Sequence, residues 1–109
     1  NKKIRQSKAS LRQSRELFSA TAEHTADAVK SAFVDYTTAK SELATQMKSV
    51  ELADERYKVT ENRYNNGLAL LTDMLDASNS KLAAELSLVD ANINIIYHYY
   101  KLKFLSCSL

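Results

Sequence analysis

An all-α fold, a long antiparallel α-helical hairpin of the coiled-coil type, is what this sequence predicts, and three observations predict it. Its 109 residues contain one glycine and no proline, whereas a globular domain of that length needs several turns, and turns recruit Gly, Pro, Asn or Asp. Apolar residues recur at alternating spacings of four and three along two long stretches, the pattern of helices packed lengthwise. The strong break between them is Asn65-Asn66-Gly67; Gly or Asn just past the last periodic residue stops a helix, because either tolerates the left-handed backbone conformation. A composition of 45% hydrophobic and 26% charged residues permits folding and is not that of a disordered chain.

The first element is a helix over about residues 3–65. From Ala22 to Tyr64 an unbroken stripe runs through Ala26, Val29, Phe33, Tyr36, Leu43, Met47, Val50 and Tyr57, and only Lys40, Asp54 and Glu61 in it are neither apolar nor small. The Lys40 stem can lie along an apolar seam while its ammonium reaches water. A second heptad-spaced stripe holds Ala32, Ala39, Ala53 and Thr60, with Gln46 interrupting. The first fifteen residues carry Lys2, Lys3, Arg5, Lys8, Arg12 and Arg15 and no acid, which leaves nine basic against thirteen acidic residues in the remainder of a chain of net charge +2. This basic segment has its own apolar spacing in Ile4, Leu11 and Phe18. At about 1.5 Å per residue the first helix reaches roughly 95 Å and the second about 55 Å, so residues 1 to about 26 overhang. A polar, basic helix without tertiary packing is marginal, so this overhang is expected to fray or to pack on a neighbouring molecule.

A tip turn over about residues 66–70 follows, and then a second helix over about 71–107. Its first stripe runs through Leu71, Leu75, Ser78, Leu82, Val89, Ile93, Ile96, Tyr100, Lys103 and Cys107, with Leu86 one position off. Its second stripe is Ala77, Ala84, Leu88, Ala91, Ile95, Leu102 and Leu109. Two stripes per helix mean two neighbours per helix, the geometry of a bundle or of a wall of helices. The small residues of the second stripes allow close lateral approach; a compact bundle of associating hairpins fits the same periodicity. With the first stripes face to face, residue numbers across the hairpin total about 136. Leu43 is then expected near Ile93, Met47 near Val89, the stem of Lys40 near Ile96 and Tyr36 near Tyr100. The same register sets Asp54 opposite Leu82 and Glu61 opposite Leu75, a weak seam that makes the tip the easiest part of the hairpin to separate.

Most chemistry is excluded. The chain has no Gly-rich phosphate loop, no Ser/His/Asp or Cys/His arrangement and no metal-ligand spacing, so neither an enzyme nor a cofactor is expected. His24 and His98 have no Cys or His at ligand spacing and take structural or surface roles, and the single Cys107 rules out an internal disulfide. The longest uncharged stretch, residues 91–100, falls short of the ~18 to 20 residues of a membrane-spanning helix. Without an initiator Met or a signal peptide, the chain reads as a piece of something longer. A basic start before heptads suggests a basic-zipper DNA reader. The seam is rich in Ala and Tyr rather than Leu, however, and the chain reverses at Gly67, so no nucleic acid is expected as a partner. Asp73 and Asp76 are three apart and share one side of the second helix within its first two turns. Acids there interact favourably with the helix dipole by about 0.3 to 1 kcal/mol each, with Thr72 capping ahead of them.

The segment YNNGLALLTDMLDA, residues 64–77, resembles the hairpin-tip segment of the TolC-like outer-membrane efflux protein family. The likeness lies in the Tyr, the Gly three residues on, the DxLDA-type helix start, and then an Ala-rich helix with an aromatic stretch, here KLAAELSLVDANINIIYHYYKL. It covers residues 57–104 well and the preceding helix more loosely, through VKSAFVDYTTAKSEL. The resemblance implies one α-hairpin of an α-barrel, the periplasmic tunnel of a trimeric outer-membrane channel of a Gram-negative bacterium, from the second of two structural repeats. It implies multidrug efflux or type I secretion, with an inner-membrane pump driving transport through a passive conduit gated at the tip. It also implies that Asp73 and Asp76 project into the pore constriction, and that Tyr64, Asn66, Gly67, Leu68, Leu70 and Leu71 form the tip that meets a periplasmic adaptor protein. Three positions depart from the pattern. Leu70 stands where many members have Ser or Thr, which weakens the expected helix cap. Ala69 replaces a basic residue and removes an ion-pair latch, and Ser108 falls about where a Gly would close the helix. The alternative is a coiled-coil interaction module, such as a periplasmic adaptor hairpin or a scaffold, with no channel.

Overall fold

A computed structural model describes residues 1–107. These form two helices, α1 over Lys2–Asn65 and α2 over Leu71–Cys107, packed against each other, with no strand among the described residues. The expectations placed on Ser108 and Leu109 lie outside the described residues. The molecule measures 98 × 17 × 14 Å, which is the length of the 64-residue α1 at 1.5 Å per residue and the breadth of two helices side by side. No described helix is long and apolar enough to cross a membrane.

Of the two alternatives expected for the N-terminal overhang, fraying is not what the single chain shows. α1 is helical from Lys2 onward, and every residue from 1 to 24 is exposed. It starts on Asn1, whose Oδ1 accepts a hydrogen bond from the Lys3 amide at 3.2 Å, an N-cap that satisfies one of the orphan donors of the first turn. The segment is dense in Lys, Arg, Gln, Leu and Ala, which lose little freedom in a helix. It also extends without a break from a part of α1 that is already packed, so it needs no new nucleus. Ile4, Leu11 and Phe18 stand at whole multiples of seven from Ala32 and Ala39. Their stripe is therefore the inner seam prolonged past the last described residue of α2.

Across the hairpin the register totals 135 to 138. Tyr36 meets Tyr99 with ring centroids 5.9 Å apart, Lys81 Nζ reaches Asp54 Oδ1 at 3.1 Å, Arg56 donates to Ser80 Oγ at 3.4 Å, and Lys81 Nζ lies 4.7 Å from the centre of the Tyr57 ring. The register agrees with the heptad reading, but the face does not. The fully buried residues are Ala32, Ala39, Ala77 and Ala91, all members of the second stripes. Leu88, Ile95 and Leu102 on α2 and Tyr36, Leu43, Val50 and Tyr57 on α1 are half-buried beside them. The first stripe of α2 lies outside: Val89, Ile93 and Ile96 are 52%, 61% and 56% exposed, and Tyr100 is also exposed. Met47, Lys40 and Phe33 are exposed with them. The residues expected to fill the seam on α2, Val89, Ile93 and Ile96, are thus more than half exposed, and alanines are the buried residues between the helices. Tyr36 turns to Tyr99, with Tyr100 lining the same cleft.

The physical reason is steric. Alanine lets two helix backbones approach closely, so a seam alternating Ala with one larger residue packs without voids, whereas two rows of Leu and Ile hold the helices apart. That seam is thin. Most of the large apolar surface faces outward.

Candidate functional site at the hairpin tip

The turn is built by a Schellman closure. Gly67 adopts φ 74°, the left-handed conformation that ends a helix. The Leu68 amide donates to the Arg63 carbonyl at 2.7 Å and the Gly67 amide to the Tyr64 carbonyl at 3.0 Å, so two orphan carbonyls of α1 are satisfied. Asn66 supplies a third tie, its side-chain amide donating to the Asn62 carbonyl at 2.8 Å. Leu68 and Leu70 are left 70% and 69% exposed, and Tyr64 and Leu71 are exposed beside them. The tip therefore presents an apolar cap to solvent.

α2 begins without Ser or Thr as its cap. It starts at Leu71, which makes Leu70 the capping position and moves Thr72, expected to cap, inside the helix. Asp73 takes over: its Oδ2 accepts a hydrogen bond from the Leu70 amide at 3.0 Å, the reciprocal half of a capping box, in which the third helical residue reaches back. Ala69 and Met74, the positions a hydrophobic staple joins, are both half-buried. Asp76 has no such local duty. Both carboxylates are exposed.

Asp73 and Asp76 open onto a cleft of about 310 Å³ whose other walls are Arg56, Thr60 and Arg63 of α1 and Leu68 and Ala69 of the turn. The basic residue missing at Ala69 is thus made up from α1 by two guanidinium groups. The sequence pattern alone did not single out Arg56 or Arg63. The signal was nevertheless present, since a register near 136 sets Arg63 across from Asp73. Further along the same side of the hairpin a second cleft, of about 530 Å³, is lined by Glu42, Gln46, Ser87, Asp90, Ala91 and Asn94, so this side stays polar well above the tip.

Asp54 is not the flaw that its position in an apolar stripe suggested. It is about one third exposed and lies between Lys58, at 3.2 Å, and Lys81 of α2, at 3.1 Å. The hydrogen bond from Lys81, seconded by that from Lys58, holds its carboxyl below the usual aspartate range, and the bond to Asp54 raises Lys81 in turn. Lys81 stacks over Tyr57 as well. About three turns above the tip an ion pair between partly exposed side chains therefore ties α1 to α2. No group of three or more His, Cys, Asp or Glu among the described residues is placed to hold a metal ion.

Against known proteins, the family model described as outer membrane efflux protein matches residues 1–105. Comparison with curated proteins and with solved structures returned no match.

Proposed function

The chain belongs to the outer membrane efflux protein family, and from that premise we propose that this hairpin is one stave of a periplasmic helical tunnel through which substrates leave the cell. One observation carries the proposal: the hairpin closes on alanine and leaves a stripe of large apolar residues, from Leu71 past Tyr100, along the outside of α2. Such a surface requires a neighbour along its whole length, as a stave in a wall does. In a homotrimeric channel, other hairpins of the same assembly supply that neighbour.

At the tip, Asp73 and Asp76 line the constriction. Asp73 both caps α2 and presents charge, while Asp76 presents charge alone. The exposed Leu68, Leu70 and Leu71, with Tyr64 and the Asn66-Gly67 bend, form an apolar docking cap for a periplasmic adaptor, through which an inner-membrane pump supplies the energy. The conduit itself is passive and performs no covalent chemistry. The match to the channel family over residues 1–105 favours this reading over an adaptor hairpin or a scaffold without a conduit.

The test is conductance of the intact channel in planar bilayers. Asp73→Asn with Asp76→Asn keeps a side-chain oxygen at the α2 cap but removes both charges. It is expected to lower cation selectivity and to abolish block by a trivalent cation applied from the tip side. Undiminished block in that double variant would take the aspartates out of the pore.

A further inference from the structure

We infer that Arg56 and Arg63 tune the ion selectivity of the tip, acting as fixed counter-charges that offset part of the field of Asp73 and Asp76. The inference rests on the reading above, that Asp73 and Asp76 line the conduction path. Its ground is the composition of the tip cleft, in which two guanidinium groups and two carboxylates share one concave wall. Counting the acids alone, the tip is an anionic site; counting the whole cleft, it carries no formal charge.

None of the four charges is neutralised by direct contact. Among the described residues the ion pairs are those of Lys48 with Glu51 and of Asp54 with Lys58 and Lys81. Arg56 makes one long hydrogen bond, to the uncharged Ser80 hydroxyl, and Asp73 accepts from a backbone amide. Charges that are near one another but not in contact still act on an ion that enters the space between them. Asp54 shows the opposite arrangement, a carboxylate compensated by two ammonium groups in contact with it.

Rigidity makes the counter-charge a lasting one. Arg63 lies in the last turn of α1 and Asp73 in the first turn of α2, and the turn between them is fixed by the Schellman bonds and the Asp73 cap. A permeating ion responds to the summed field of fixed charges within roughly a Debye length, about 8 to 10 Å, and a cleft this size brings all four within its reach.

The experiment is a reversal-potential measurement on the intact channel under a potassium chloride gradient. Arg56→Gln with Arg63→Gln is expected to raise the cation-to-anion permeability ratio about two- to threefold per charge removed, the combined effect on cation and anion of a unit charge about 7 Å away in water once salt screening halves its field. Arg56→Lys with Arg63→Lys keeps the charge and is expected to stay at the wild-type ratio. If the Gln pair leaves the ratio unchanged while Asp73→Asn with Asp76→Asn shifts it, the arginines lie off the path and the inference falls, with the constriction reading intact. If neither pair shifts it, both fall together. A Lys pair that shifts the ratio as far as the Gln pair would overturn the charge argument in favour of a packing role.

Discussion

Gly67 has φ 74°, and nothing stands within 4 Å of where a Cβ would be. Substitution there is penalised by backbone strain alone. Gly67→Ala is expected to destabilise the turn by about 1 to 2 kcal/mol, read as a roughly five- to thirtyfold faster hydrogen exchange of the Leu68 amide. Gly67→Asn should lose much less, because Asn tolerates this conformation. Unaltered protection in the Ala variant would mean that the chain can close the tip in another way. The two aspartates, alike in sequence, separate by the same measurement. Asp73→Ala removes the bond to the Leu70 amide and should loosen the first turn of α2 by about 0.5 to 1 kcal/mol; Asp73→Asn should retain most of that protection. Asp76→Ala should leave exchange at the Leu70 amide unchanged, since Asp76 takes no part in the cap.

Between the helices, the seam and the clamp above the tip behave differently under perturbation. Ala77 is 1% exposed, so Ala77→Leu forces extra methylenes into closed space and should cost about 1 to 3 kcal/mol, seen as a lower melting temperature of the intact channel. The Asp54 and Lys81 clamp responds to pH. Asp54 is depressed by its contacts with Lys81 and Lys58, so its contribution is present above the unfolded aspartate pKa, about 4. It is lost as pH falls through the lower folded value. Lys81 is raised by Asp54, so its contribution is present below the unfolded lysine pKa, about 10.4, and is lost only as pH rises beyond it. The clamp should therefore hold unchanged from mildly acidic to mildly alkaline pH and open in strong acid, as Asp54 protonates, or in strong alkali, as Lys81 loses its proton. Spin labels placed on Glu51 and Glu85 would read the opening as a broadened distance distribution. Broadening already at pH 5 to 6 would assign it to another group.

At the scale of the whole molecule, the hairpin is an elongated object with a thin interior. It is 98 Å long, and among the described residues the buried ones are four alanines, while the largest side chains of α2 are outside. Contiguous apolar surface on this scale marks an interface. Ile93→Lys should therefore leave the helices and their seam in place while preventing assembly. The expected result is unchanged far-UV circular dichroism with a shift from oligomer to monomer of the intact channel in size-exclusion chromatography with light scattering. Assembly persisting at the wild-type level would mean that the Ile93 stripe faces something other than a neighbouring hairpin.

What the sequence determined by itself is whatever depends on local chemistry and counting. One glycine in a chain without proline leaves a single place to reverse, and the four-three spacing makes both arms helical. Heptad phase and turn position together set a register near 136, within which Tyr36 reaches the Tyr99 and Tyr100 pair. The choice of inner face was not legible, because two stripes with the same period satisfy the periodicity equally. Their difference is one of volume, which acts only when two backbones are brought together: alanine closes the seam, and the Leu, Val and Ile of the first α2 stripe are left outside. The tip follows the same logic. The pair of aspartates is visible in the sequence, but Arg56 and Arg63 are not obvious companions to them. Only the packing of α1 on α2, with Gly67 holding the bend, brings residues ten to twenty positions apart around one cleft and decides its net charge.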